Sequence, residues 1–203
     1  MIELRRAGAG DLRSVVRIHR QAFAGFFLTR LGPGFLAKYY RLVLAHPGSI
    51  LLVAVHEGQI AGFAAGVASP AAFYREMKKR KFSFALSVIP AWLRSPGILR
   101  RLWVDFRDLR SRAGPAAGEN DGTAELTSIA VAPIGSGQGI GRGLLAAFTA
   151  EAGKMGLAAI TLTTDAEGND AVNGFYLQAG FRLQRTFTQG DGRRMNEYRK
   201  DIA

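Results

Sequence analysis

Five glycines, Gly135, Gly137, Gly139, Gly141 and Gly143, recur at every second position between a strand-like run at 124–131 and an amphipathic run at 144–155. Glycine lets the backbone approach a ligand closely and adopt conformations that other residues avoid. A helix start adds unpaired N–H groups and about half a positive charge, so the loop reads as an anion site whose natural guest is a diphosphate. Three better-known glycine loops do not fit. In G-x-G-x-x-G the sixth position would be Arg142 or Leu144, no Gly-Lys-Ser/Thr follows, and Ile134 stands where a nucleophile elbow needs glycine.

The flanking elements read as alternating strand and helix. A strand at 2–6 is followed by Asp11 as a helix N-cap and by Leu12, Val15, Val16, Ile18 and His19 at helical spacing. A second helix is expected over 35–44, after Pro33-Gly34 and before His46-Pro47-Gly48. Two β-branched runs, 50–55 and 60–67, are joined by the turn His56-Glu57-Gly58-Gln59. Beyond the glycine loop, Gly156 closes the helix, a strand spans 159–163, a helix spans 171–179, and strands at 181–187 and 196–199 surround Gly190-Asp191-Gly192.

The 203-residue chain has room for a substantial core. It contains no cysteine, which excludes a disulfide framework, a thiolate zinc site, an iron–sulfur cluster and a cysteine nucleophile. The start at Met1 shows no apolar targeting segment, and the apolar-rich stretch 82–93 in the middle of the chain is interrupted by Pro90 and far below the length of a spanning helix. The chain reads as soluble and cytoplasmic.

Gln138-Gly139-Ile140-Gly141-Arg142-Gly143, followed by Leu144-Leu145, resembles the Q/R-x-x-G-x-G/A signature of the GNAT (GCN5-related N-acetyltransferase) family. The run 126–133 is similar to that family's fourth strand and its exit. Phe175-Tyr176 with Gly180-Phe181 is similar to its F-Y-x-x-x-G-F element. The resemblance implies one α/β N-acetyltransferase domain over 1–203 with a mixed and mostly antiparallel sheet flanked by helices. It does not cover 71–122, read as a helical insertion between the third and fourth strands that is longer than the family's usual connection.

It also implies the roles of the site residues. Backbone amides of Gln138, Gly139, Ile140, Gly141, Arg142 and Gly143 would hold the pyrophosphate of acetyl-CoA, with the Arg142 side chain adding charge. Backbone groups of Ile129, Ala130 and Val131 would pair with the pantetheine arm. Tyr176 matches the family's general acid: a phenol of ordinary pKa near 10 can protonate a departing thiolate. Of Asn169 and Asn173, one would bind the cofactor and the other cap the helix. Glu125 is the candidate base, read at period two with Thr127, Ile129 and Val131 and so sharing their face. No metal is implied. His19, His46 and His56 read as surface or capping residues, and Asp165, Glu167 and Asp170 as a solvated turn.

The formal charge of +11 is unevenly spread. Residues 68–120 carry eleven basic and four acidic side chains, +7 of the total, interleaved with Phe73, Tyr74, Trp92 and Trp103. This 71–122 segment has three readings: a wall or lid reading an anionic amine acceptor, basic helices on a membrane surface, or a solvated face packed on the domain or on a second copy in a homodimer. Nucleic acid is not expected, because no nucleic-acid motif accompanies the charge. The implied reaction is acetyl transfer from acetyl-CoA to a small primary amine by direct attack. The alternatives are a protein or peptide acetyltransferase and a non-catalytic CoA-binding module.

Overall fold

The fold is built on a long hairpin. Its strands β2 (Ser49–His56) and β3 (Gln59–Val67) are joined by only two residues, Glu57 and Gly58, with φ of 50° and 72°. Positive φ at both central positions is the turn that matches strand twist, so the loop is two residues shorter than expected from the sequence. The computed structural model describes residues 1–80, Phe84, Ser87, 122–190 and 192–202. Seven strands form one sheet, adding β1 (Ile2–Arg6), β4 (Thr123–Val131), β5 (Ala159–Asp165), β6 (Arg182–Thr188) and β7 (Arg194–Asp201), in the order β1-β2-β3-β4-β5-β7-β6. Every neighbouring pair is antiparallel except β4 with β5.

Side chains alternate across β2, so the sheet buries both faces. Leu51 and Val53 join Phe63 and Ala65 of β3 under α1 (Leu12–Ala22), α3 (Pro33–Ala45) and α4 (Pro70–Lys79). Ile50, Leu52 and Ala54 lie on the opposite face, under α5 (Ile140–Lys154) and α6 (Asp170–Gln178). A one-turn helix, α2 (Phe27–Arg30), precedes α3. Pro70 opens α4 at its first turn, where a missing N–H costs no helical bond. Most of the basic segment lies outside the described residues, as does Asp191. No helix among the described residues is long and apolar enough to cross a membrane.

The expected N-cap at Asp11 takes a different form. Its carboxylate accepts the Gly8 N–H at 2.8 Å and the Arg5 guanidinium at 2.6 Å, and makes no capping bond to α1. His19 is corrected more fully. It is buried beside Tyr40, with Nδ1 2.6 Å from the Tyr40 hydroxyl, because it falls on the same helical stripe as Val15 and Val16.

Candidate functional site

The site begins where two strands part. β4 and β5 pair only at Thr123↔Ala159, Ala124↔Ile160 and Glu125↔Thr161. Beyond Glu125, β4 continues against β3 alone as far as Val131. The edge of β4 facing β5 is therefore open. Ala132 donates to the Ala61 carbonyl at 2.7 Å, so strand alternation directs the amides of Ala130 and Ser128 to β3 and those of Ile129 and Val131 into the opening. Ala130 is thus turned away from the gap that its neighbours face.

β4 also carries a bulge. Ala65 pairs with Ser128 and Gly66 with Leu126, leaving Thr127 as an extra residue. Its hydroxyl donates to the Ala65 carbonyl at 3.0 Å and lies 3.4 Å from the Tyr39 hydroxyl. The bulge resets the alternation. Ala124, Leu126, Ile129 and Val131 pack with α5, while Ala130 packs with α1 and α3. Glu125, opposite Val67, faces the α1/α3 side, where its charge, after burial, helps to push the Tyr39 hydroxyl up to about 12. The shared face expected for Glu125, Ile129 and Val131 is therefore not formed.

The α5 N-terminus stands at the end of the open edge. Gly139 is its N-cap, with φ 75°, and Gly137 has the same left-handed φ. The amides of Gln138, Gly139, Ile140, Gly141 and Arg142 find no acceptor among the described residues. Gly143 differs from expectation: its N–H already bonds to the Gly139 carbonyl at 3.0 Å. The exposed Arg142 side chain adds a nearby cation. A Cβ on Gly141 would lie 3.8 Å from both the Phe175 ring and Val131, so α5, α6 and the end of β4 converge there.

Tyr176 is buried on α6 among Phe175, Phe181 and Tyr198. Burial holds its hydroxyl protonated far above the ordinary phenol range, and the hydroxyl has no hydrogen-bond partner among the described residues. Asn173 is fully engaged. Its Nδ2 donates to the Asp165 and Asn169 carbonyls at 3.0 Å, and its Oδ1 accepts from Tyr198 at 2.9 Å and Asn196 at 3.2 Å. Asn169 occupies the α6 N-cap position, but its Nδ2 donates to Thr164 and the Asp165 carbonyl instead of capping. Both asparagines pin α6 to the end of β5.

The contact between Tyr39 and Thr127 has no motif in the sequence; only the bulge in the register of β4 reveals it. Asp165, expected in a solvated turn, holds the Arg193 guanidinium through Oδ1 at 3.0 Å and Oδ2 at 2.6 Å. His46 pairs with Glu76 at 3.0 Å. Among the described residues no group of three or more His, Asp or Glu side chains is placed to hold a metal ion.

Residues 13–181 match the family model described as the Acetyltransferase (GNAT) family. Solved structures with the same fold include a ribosomal-protein-alanine N-acetyltransferase from Brucella melitensis. It is 20% identical with a TM-score of 0.66, over 98% of this chain and 99% of that one. A phosphinothricin acetyltransferase from Sinorhizobium meliloti, solved with acetyl-CoA, is 18% identical with a TM-score of 0.63, over 100% and 89%. An N-acetyltransferase from Staphylococcus aureus is 16% identical with a TM-score of 0.64, over 100% and 99%. No curated protein matches the chain.

Proposed function

Because the chain belongs to the GNAT acetyltransferase family, we propose that it transfers the acetyl group of acetyl-CoA to the primary amine of a small molecule by direct attack in a ternary complex. The observation that carries this reading is the one-sided edge of β4, whose Ile129 and Val131 amides lead to the unpartnered amides at the start of α5. That arrangement suits an extended, amide-bearing arm ending in a diphosphate.

Acetyl-CoA supplies the acetyl group as an activated thioester. The amides of residues 138–142 hold its diphosphate, and Arg142 adds charge. Ile129 and Val131 align the arm, and an amide on that edge polarises the carbonyl as negative charge develops. Tyr176 delivers its proton to the departing sulfur. Glu125 takes the proton lost by the amine, directly or through water. With no cysteine in the chain, no cysteine acyl-enzyme is available, which supports direct transfer.

The test is thiol release from acetyl-CoA across amino sugars, polyamines, amino acids and peptides. Release that depends on a compact amine is expected. Acetyl-CoA binding without release for any amine would overturn the enzymatic reading in favour of a CoA-binding module. Release with peptides alone would move the acceptor to protein.

A further inference from the structure

The two faces of the sheet separate the reactants. The unpartnered amides at the start of α5 belong to the α5/α6 face, whereas Glu125 and Tyr39 face α1 and α3. On the acetyl-transfer reading above, which this inference rests on, the nucleotide end of acetyl-CoA occupies the first face and the amine approaches from the second.

One contact straddles the opening on the amine's side. Phe26 lies between α1 and α2, and α1 packs over β3 and β4, so Phe26 belongs to the β4 flank. Arg193 immediately precedes β7 and belongs to the β5 flank. The Arg193 guanidinium sits 4.5 Å from the Phe26 ring centroid while Asp165, the last residue of β5, holds it from the other side. A planar guanidinium can lie over a ring and grip both oxygens of a carboxylate at once, a fork geometry that an ammonium does not match. The strands part after Glu125↔Thr161, and Asp165 stands four residues beyond that last pair, at the wide end of the opening. Phe26 is anchored in turn: its ring meets Phe23 at 5.4 Å, and Phe23 meets the buried His19 at 4.8 Å.

We infer that Arg193 sets the size of the acceptor: with Asp165 and Phe26 it ties the two flanks together on the amine's side, admitting compact primary amines and turning away amines carried on peptide chains. The physical reason is the line of the contact. A compact amine can sit beneath a closed tie. A peptide has to extend away from its reacting amine, and on this side that path crosses between Phe26 and Arg193.

The experiment compares kcat/KM for a compact primary amine with that for an unstructured pentapeptide amine, in wild type, Arg193→Ala, Arg193→Lys and Asp165→Asn. The ratio is expected to shift toward the peptide by about tenfold in Arg193→Ala, on the scale of single-contact discrimination. Arg193→Lys should follow the alanine variant, because it keeps the charge but loses the forked grip on both Asp165 oxygens. An unchanged ratio in Arg193→Ala, or a wild type that takes both amines equally, overturns the inference. Should Arg193→Ala fail to fold, Phe26→Leu, which spares the Asp165–Arg193 pair, is expected to shift the ratio in the same direction. Hydrogen exchange over residues 23–30, read without substrate, separates this inference from the reading beneath it. If wild type acetylates no amine, the acetyl-transfer reading fails. The tie is then judged by exchange alone: faster exchange in Arg193→Ala supports it and unchanged exchange overturns it.

Discussion

Glu125 and Ile129 are four residues apart on one strand, yet they face opposite sides of the sheet, because Thr127 is inserted opposite the Ala65–Gly66 step. An uninterrupted strand would put both on one face. The bulge instead lets a single strand present a carboxylate to the α1/α3 side and, a few residues on, turn peptide groups into the opening beside β5. The Thr127 hydroxyl secures this by bonding the Ala65 carbonyl at 3.0 Å.

Glu125→Gln tests the base. A carboxylate is needed only while the amine arrives protonated. At neutral pH kcat/KM for the amine is expected to fall by about a hundredfold, the lower range for a positioned base. The deficit should shrink as pH approaches the amine's own pKa, where the attacking form exists in solution. A loss of the same size at every pH would mean that Glu125 only maintains structure. The profile is measured by thiol release at saturating acetyl-CoA.

Tyr176→Phe tests the acid. The hydroxyl makes no hydrogen bond to a described residue, so its removal is expected to leave the melting temperature nearly unchanged. Its catalytic loss should be about a hundredfold or more in kcat. Burial raises the hydroxyl above the ordinary value of 10.0, so the proton is retained through neutral and moderately alkaline pH. Wild type should therefore show no alkaline loss of kcat from this group below pH 10. An unchanged kcat in the variant would remove Tyr176 from the mechanism.

Much of this was legible in the sequence. The alternate glycines marked the start of α5, where five amides find no acceptor among the described residues, the β-branched runs gave the central hairpin, and Phe175-Tyr176 fell on the helix expected to carry it. The misread features have local causes. A bulge leaves no composition signal; its trace is that Leu126 and Ile129, both apolar, are three residues apart instead of two. His19 was read by residue type, although its spacing from Val15 and Val16 placed it on the buried stripe. Gly143 looked like one more amide in the loop, but the first helical hydrogen bond, to Gly139, had already claimed it.

Gly139 and Gly143 should therefore respond differently to alanine. Gly139 has φ 75° with nothing within 4 Å of a built Cβ, so Gly139→Ala strains the loop backbone by about 1 kcal/mol without a clash. Because its amide is one of the unpartnered group, weaker acetyl-CoA binding is expected by calorimetry, with the melting temperature falling by about 2–4 °C. In Gly143→Ala the new methyl would lie 3.2 Å from Leu4 Cδ1 on β1. Leu4 is exposed and can move aside, and alanine outranks glycine inside a helix, so the melting temperature should hold or rise and acetyl-CoA affinity stay nearly intact. The reverse pattern would show that the diphosphate is held elsewhere.

His19 offers a test of the core beneath the site. Burial lowers its pKa from 6.5 to about 4, and its ring is enclosed by Tyr40, Phe23 and Phe63. The folded state therefore favours the neutral ring. The associated stability, about 3 kcal/mol from the shift, is fully present above pH 6.5 and is lost as pH falls toward 4. Asp11, Glu76 and Glu151, whose pKa values are lowered by ion pairs and hydrogen bonds, also lose stabilisation in acid, so the wild-type slope alone is not diagnostic. His19→Phe removes one titration and leaves the others. Between pH 6.5 and 4.5, urea unfolding should show wild type losing about 1 kcal/mol more per pH unit than the variant, most of the slope of one proton. Parallel slopes would mean that His19 is protonated without opening the core. The Tyr40 hydroxyl, 2.6 Å from Nδ1, would then be accepting its proton.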